Sequence, residues 1–338
     1  MLTVRSATIA LILLFLDFSS VFSQSASGTG RNSKQLKCKE PIAKIINNAD
    51  RLLPAGSFLC KGDRLQQRNG AKIDVLCYLN PGAGVLHLGS GNVSDKCFPP
   101  PTQQQAQQCT PQNRANCPKR KGPSGEDTNA PTLLNPYSSA VLNTRPFLSW
   151  YAVPKATSYT VQVRGKGVNW EKQVGNTTVL PYPKEQPAMQ YGNVYKFSII
   201  ANQGDSPVTY SSSVLLVSPE SKAQQVMATV RQIKSLNLPP DEAAFDLDIV
   251  YMSQGLLTET INTLKARIAA GSQSPTLYRV LGDRYLEAGL PDSAKQEYTM
   301  AAALAQQSDN LVELTKAQAG LKRTALYSQL PIRTTPDQ

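Results

Sequence analysis

The sequence predicts a multidomain chain of β plus α type. A small disulfide-bearing β domain comes first, a β-sandwich follows, and the C-terminal end is all-helical. Three observations carry this reading. All six cysteines lie between Cys38 and Cys117. Residues 130–218 hold short runs of alternating apolar residues broken by Pro, Gly and Asn. From Pro219 onward the apolar residues recur at helical spacing, and a pair of helices repeats at an offset of 34 residues.

The first 23 residues read as a secretory signal. Arg5 supplies the positive start, residues 7–16 (ATIALILLFL) the short apolar run, and Val21-Phe22-Ser23 a small-residue cleavage site. The run is too short for a comfortable membrane span, so no transmembrane segment is expected after cleavage. The expected location is therefore outside the cytoplasm, periplasmic or extracellular.

Residues 36–99 form the first module. Residues 52–59, 72–78 and 85–88 are its clearest strand runs, separated by glycine turns. In the second run Ile73, Val75 and Cys77 alternate with Lys72, Asp74 and Leu76, the pattern of a mostly half-buried strand. Cys38, Cys60, Cys77, Cys97, Cys109 and Cys117 are an even set in an exported chain, which points to three disulfides. Each would contribute about 2–4 kcal/mol. Cys109 and Cys117 are expected to close a local loop, because the tract around them has no core of its own. Metal binding would want C-x-x-C pairs or nearby histidines, and the only histidine is His87. Beside Leu86 and Leu88 on a short strand, His87 reads as an exposed or satisfied structural residue. Asp63, Asp74 and Asp95 read as turn residues.

Residues 100–129 are rich in Pro and Gln and cannot bury a core, so they read as a linker. Lys119, Arg120 and Lys121 make a basic spot within it.

In the middle module, residues 130–218, the runs at 147–150, 158–164, 170–174, 177–180, 194–201 and 212–217 predict a β-sandwich. Tyr195, Phe197 and Ile199 share one strand face. Trp150 is expected in the core. Trp170, beside Asn169 and Glu171, is the better of the two for an exposed sugar platform, although burial is the expected state of both.

The helical module spans residues 220–328, with helices at 221–236, 241–253, 257–270, a pair within 274–303, and a last helix at 309–327. Residues 329–338 read as a disordered tail. In the best-formed pair Tyr278, Leu281, Gly282 and Tyr285 share one face. Ala288-Gly289-Leu290-Pro291 breaks the pattern, and Asp292 or Ser293 can cap the next helix, on which Ala294, Tyr298 and Ala301 recur. Gly282, Ala294 and Ala301 would allow close helix approach, with Tyr278, Tyr285 and Tyr298 filling the space around them. The upstream pair is a degenerate copy. Leu247, Tyr251, Gly255 and Leu264 align with Leu281, Tyr285, Gly289 and Tyr298, whereas Ala244 and Asp248 stand where the later pair has Tyr278 and Gly282.

These residues and their spacing resemble the tetratricopeptide repeat (TPR), whose period is about 34 residues. The one departure is Gln306, where the pattern would end in Pro. The resemblance implies a binding groove lined by outward residues of each first helix. By alignment these are Phe245, Ile249 and Met252, then Thr276, Arg279, Asp283 and Leu286, a mixed apolar and charged surface suited to a peptide or helix. The last helix reads as the start of a third repeat or as a cap. The middle module, with its Leu148-x-Trp150 and Tyr195-x-Phe197-x-Ile199 runs, resembles a fibronectin type III domain, which implies spacing and binding. The run Pro54-Ala55-Gly56, Lys61-Gly62-Asp63-Arg64-Leu65 and Gly70-Ala71-Lys72-Ile73 resembles a FecR-type domain, a β-rich extracytoplasmic module; the cysteines depart from that pattern. Together the modules resemble exported multidomain proteins of cyanobacteria.

Charge is uneven. Residues 24–129 hold 15 Lys and Arg against 7 Asp and Glu, residues 130–219 hold 7 against 3, and residues 220–338 hold 12 against 13. On an exported chain this favours an anionic envelope polymer over nucleic acid as a partner of the β modules. No catalytic residue, cofactor or metal ligand is assigned. The chain has no G-x-S-x-G, H-E-x-x-H, P-loop or dinucleotide motif. One histidine and no spare thiol remove the commonest base and nucleophile. Carboxylate-only hydrolysis is the enzyme class left open, since acid pairs have no fixed local signature. The expected function is an exported, non-enzymatic scaffold that binds a partner protein or peptide through its repeats. The alternative is attachment to an anionic envelope polymer through the basic β modules.

Overall fold

Alternating apolar residues build two β modules, and helical periodicity builds the rest. The computed structural model describes residues 41–80, 84–98 and 129–327. The expected signal, nearly all of the linker with its basic spot, and the tail lie outside these residues.

In the first module β1 (Ala43–Ile45), β2 (Phe58–Leu59), β4 (Ile73–Cys77) and β5 (Val85–Leu88) form a sheet in the order β2-β1-β4-β5. Strands β3 (Arg64–Leu65) and β6 (Gly91–Asn92) make a small antiparallel pair, and α1 (Ser94–Cys97) follows. The strand expected at 52–59 is present only at its end. Asp50 accepts the N–H groups of Leu52 and Leu53, each at 2.8 Å, and Gly56 adopts a φ of +85°. A carboxylate that takes up local backbone donors turns the chain before it can pair. Asp63 acts similarly, accepting the Cys60 N–H at 2.8 Å.

Cys77 is bonded to Cys97. Cys60 is also in a disulfide, with a partner outside the described residues. Cys38, Cys109 and Cys117, and with them the expected Cys109–Cys117 loop, lie outside those residues too.

Strand β4 corrects the expectation of a half-buried strand. Ile73, Val75 and Cys77 face the module's own core, while Leu76 on the opposite face is equally buried. Leu76 and Tyr78 join Val226, Val230 and Ile233 of one helix, Leu247 and Val250 of the next, and Leu142 of the sandwich in a single cluster. The face that would have met water meets helices.

The sandwich packs a five-stranded sheet on a three-stranded one. Its strands are β7 (Leu133–Asn135), β8 (Ala140–Val141), β9 (Leu148–Trp150), β10 (Ser158–Gly165), β11 (Val168–Val174), β12 (Val179–Leu180), β13 (Val194–Gln203) and β14 (Ser206–Val217). The sheet orders are β11-β10-β13-β14-β8 and β12-β9-β7. Trp150 is buried edge-on against Tyr159, with ring centroids 5.6 Å apart. Trp170 is buried too and donates to the Tyr182 hydroxyl at 3.0 Å, so it is no exposed platform. The Tyr195 hydroxyl accepts the Gln190 N–H at 2.7 Å and donates to the Lys166 carbonyl at 3.0 Å. This tyrosine corner pins the start of β13 to the backbone just before it.

Six helices follow: α2 (Glu220–Ser235), α3 (Pro240–Ser253), α4 (Leu257–Ala269), α5 (Pro275–Glu287), α6 (Pro291–Gln307) and α7 (Leu311–Tyr327). Helices α3, α5 and α6 begin on Pro, whose missing N–H costs nothing in the first turn. Gly255, Gly271 and Gly289, at φ of +71°, +94° and +78°, end α3, α4 and α5. Neither Asp292 nor Ser293 caps α6. It starts one residue earlier, at Pro291, and Asp292 sits in its first turn. The result is a TPR-like array of two helical pairs, α3–α4 and α5–α6, with α2 before it and α7 after it.

Tyr298, Tyr285, Ala294 and Ala301 are buried as expected, but Tyr278 is only half-buried and Leu277 takes the core position. Tyr298 lies between two glycines. A Cβ on Gly282 of α5 would sit 2.8 Å from its ring, and one on Gly320 of α7 would sit 2.5 Å from it. In the degenerate pair Asp248 replaces that glycine and accepts two hydrogen bonds from Arg284 of α5, from Nε and Nη2, both at 2.7 Å. Burial opposes the charge on Arg284, and Asp248, Glu287 and Asp283 more than offset it, so its pKa is raised.

Candidate functional site

The seven groove residues inferred from the repeats all lie on α3 and α5, but they do not form one open surface. Ile249 packs against the cluster that joins Leu76 and Tyr78 to α2 and α3. Phe245 and Met252 pack against the core shared by α4, α5 and α6. Leu286 is buried in that core. Thr276, Arg279 and Asp283 are half-buried.

On α3 the space beside the expected groove is taken by the first β module. Lys44 of β1 is 1% exposed, and its Nζ donates to Asp246 Oδ2 at 2.9 Å and also contacts Glu242. The Tyr78 hydroxyl donates to Asp246 Oδ1 at 2.8 Å, and Ser253 Oγ donates to the Tyr78 carbonyl at 3.1 Å. Asp246, wholly buried, thus holds the β module to α3. Burial pushes its carboxyl pKa up, while Lys44 and Tyr78 pull it back.

The sandwich is joined to α4 in a similar way. The Tyr137 N–H donates to Thr258 Oγ1 at 2.9 Å, and the Leu142 N–H donates to Glu259 Oε1 at 2.6 Å. The ring of Tyr137 meets Tyr285 edge-on, 6.1 Å between centroids. Glu259 Oε2 is buried with no partner among the described residues. Burial pushes the Glu259 pKa up, against the backbone N–H groups that pull it down. The folded chain therefore holds a proton here more tightly than the unfolded chain. That contribution to stability is complete below the unfolded carboxyl range, near pH 4, and is lost as pH rises through the raised value. Glu259→Gln keeps the acceptor for Leu142. Its stability relative to the natural chain is expected to improve as pH rises from about 4 through the raised value and then to level off, in urea unfolding; parallel profiles would contradict this.

Between α5 and α7 the residues expected to line the groove belong to an ionic network. Arg279 Nε donates to Glu313 Oε2 at 2.6 Å and its Nη1 to Asp283 Oδ2 at 2.7 Å. Asp283 Oδ1 also accepts from the Tyr298 hydroxyl at 2.7 Å and from Arg323 Nη2 at 2.6 Å. Lys316 Nζ donates to Glu313 Oε1 at 2.8 Å. Burial works against the charge on Glu313, but Arg279 and Lys316 outweigh it and hold its carboxyl below the usual range. Lys316 and Arg323 are the accessible charges of this network.

Glu313, Lys316, Gly320 and Arg323 are absent from the residues expected from the sequence, because the last helix reads there as the start of a third repeat or as a cap and no groove residue is aligned on it. The signal was Gly320, a helix-interior glycine that costs about 1 kcal/mol relative to Ala unless close packing requires it.

Outside the helices, His87 lies on the surface with its Nδ1 2.6 Å from Asp74 Oδ1, the satisfied structural role expected of it. Among the described residues no three His, Cys, Asp or Glu side chains gather as a metal site would require, and no helix is long and apolar enough to cross a membrane.

No family model matches this chain, and no curated protein matches it. Among solved structures, PcrH from Pseudomonas aeruginosa is 17% identical over 31% of this chain and 83% of its own, with a TM-score of 0.27. PcrH in complex with the chaperone binding region of PopD is 16% identical over 32% and 86%, with a TM-score of 0.28. The type III secretion translocator chaperone SycD from Yersinia enterocolitica is 12% identical over 33% and 79%, with a TM-score of 0.28. At those scores the likeness carries no functional argument.

Proposed function

We propose that this chain is an exported, non-enzymatic scaffold that binds a partner protein or peptide at the α5–α7 end of its helical array. The observation that supports this most is the ionic network of Arg279, Asp283, Glu313, Lys316 and Arg323, set on helices that continue the array from α3 and α4, which the two β modules hold. A surface braced in this way loses little conformational freedom on binding, and Lys316 and Arg323 offer charges that a partner can reach. The disulfides at Cys77–Cys97 and Cys60 support residence in an oxidising compartment, periplasmic or extracellular. The tyrosine corner and strand order support a fibronectin type III-like role for the middle module, as spacer and brace.

The test is partner capture from an envelope extract by the full chain. Lys316→Glu with Arg323→Glu alters the reachable charges, and Arg279→Glu with Asp283→Lys alters the groove itself. Each pair is expected to reduce capture of the same partner about tenfold or more; the Arg279 and Asp283 pair also strips partners from Glu313 and Tyr298 and is expected to lower the melting temperature, so the exposed Lys316 and Arg323 pair decides the groove assignment. Capture unaffected by the Lys316 and Arg323 pair would sink that assignment.

A further inference from the structure

The outer face of the five-stranded sheet is covered by nothing in the described chain. Strand alternation sends Val161, Val163, Phe197, Ile199, Leu215 and Val217 into the core, so their neighbours point outward. On that face the register sets Arg164 directly opposite Lys196, and Lys196 opposite Val214. Two residues along, Val194 stands opposite Leu216. Val194 is 54% exposed, and Tyr210, further along β14, is 69% exposed.

Two features of this patch are unfavourable for the isolated chain. Like charges directly across a ladder repel, and neither Arg164 nor Lys196 has an ion pair among the described residues. The acid on the strands of this face, Glu171 on β11, is engaged by the Gln162 side chain at 2.8 Å. Beside the cations, Val194, Val214 and Leu216 form an exposed aliphatic strip, the kind of patch that marks an interaction site.

We propose that this face docks a segment of another protein that carries carboxylates interleaved with apolar side chains. Charge complementarity selects the partner: carboxylates would relieve the Arg164–Lys196 repulsion, and apolar groups would cover Val194, Val214 and Leu216. A second copy of the chain fits poorly, because a two-fold contact over this patch sets cations against cations. A purely anionic polymer would use the cations and leave the aliphatic strip bare. The proposal goes beyond the α5–α7 groove and names a separate surface.

The probe is a short fluorescein-labelled peptide of repeating Asp-Leu-Glu-Phe units, titrated with the full chain at low salt by fluorescence anisotropy. Arg164→Glu with Lys196→Glu, and separately Val194→Ser with Leu216→Ser, are each expected to weaken binding about tenfold or more. All four sites are exposed, so unchanged thermal unfolding of the variants excludes a folding artefact. The proposal is overturned if the peptide does not bind, or if either pair leaves its affinity unchanged. It is also overturned if polygalacturonate binds as tightly and depends on the cations alone, or if sedimentation shows a dimer that these variants dissolve. The groove variants at Lys316 and Arg323 should leave the peptide titration unchanged, so the two surfaces can fail independently.

Discussion

Asp246→Ala is expected to destabilise the chain by about 3–5 kcal/mol, the cost of leaving a buried charge without its partner. Lys44 and Asp246 are 1% and 0% exposed, so water offers no replacement. The Tyr78 hydroxyl would be stranded as well. Glu242 remains in contact with Lys44 and is partly exposed, which places the loss toward the lower end of that range. The triple variant Lys44→Met, Tyr78→Phe and Asp246→Leu should recover most of the loss, because a matched apolar set carries neither an unpaired charge nor a stranded hydroxyl. Urea unfolding of the three chains measures both effects. A single-variant loss below about 1 kcal/mol would mean that the β module is held to α3 by the apolar cluster alone.

Tyr298→Ala is expected to cost a similar amount, about 3–5 kcal/mol, through lost burial and the cavity left behind. The ring is wholly buried and fills the gap between Gly282 and Gly320. Its hydroxyl also holds Asp283, so the ionic groove should loosen together with the core. Gly320→Leu in the natural chain is expected to cost about 1–3 kcal/mol by overpacking against the ring. Combined with Tyr298→Ala, the same substitution should refill the gap. The double-mutant cycle should then show a favourable coupling of at least about 1 kcal/mol. Additive losses would show that Gly320 does not meet Tyr298.

The elements were legible to different degrees, for physical reasons. Period-two alternation at Tyr195, Phe197 and Ile199 marked a strand with one core face, and the structure buries all three. Helical periodicity marked the helices, but their starts were less legible: α3 and α6 begin on Pro240 and Pro291, where the sequence suggested residue 241 and a cap at Asp292 or Ser293, because a proline that breaks one helix also suits the first turn of the next. The run at 52–59 misled because its β propensity lost to the Asp50 carboxylate, a local competitor that periodicity does not register. The groove was legible only as a set of outward positions on α3 and α5. That Ile249 would be covered, and that Arg279 and Asp283 would already be engaged by α7, required knowing what packs beside them.

The sequence by itself determined the two β modules and the helical pairs, since each depends on residues within a turn or two of one another. Tertiary structure alone decided that the modules are locked together. Lys44 meets Asp246 across 202 residues of sequence, and Leu142 meets Glu259 across 117. A buried charge or a helix-interior glycine looks unfavourable when read locally. It becomes stabilising only when a distant surface supplies the counter-charge or the ring that fills the space.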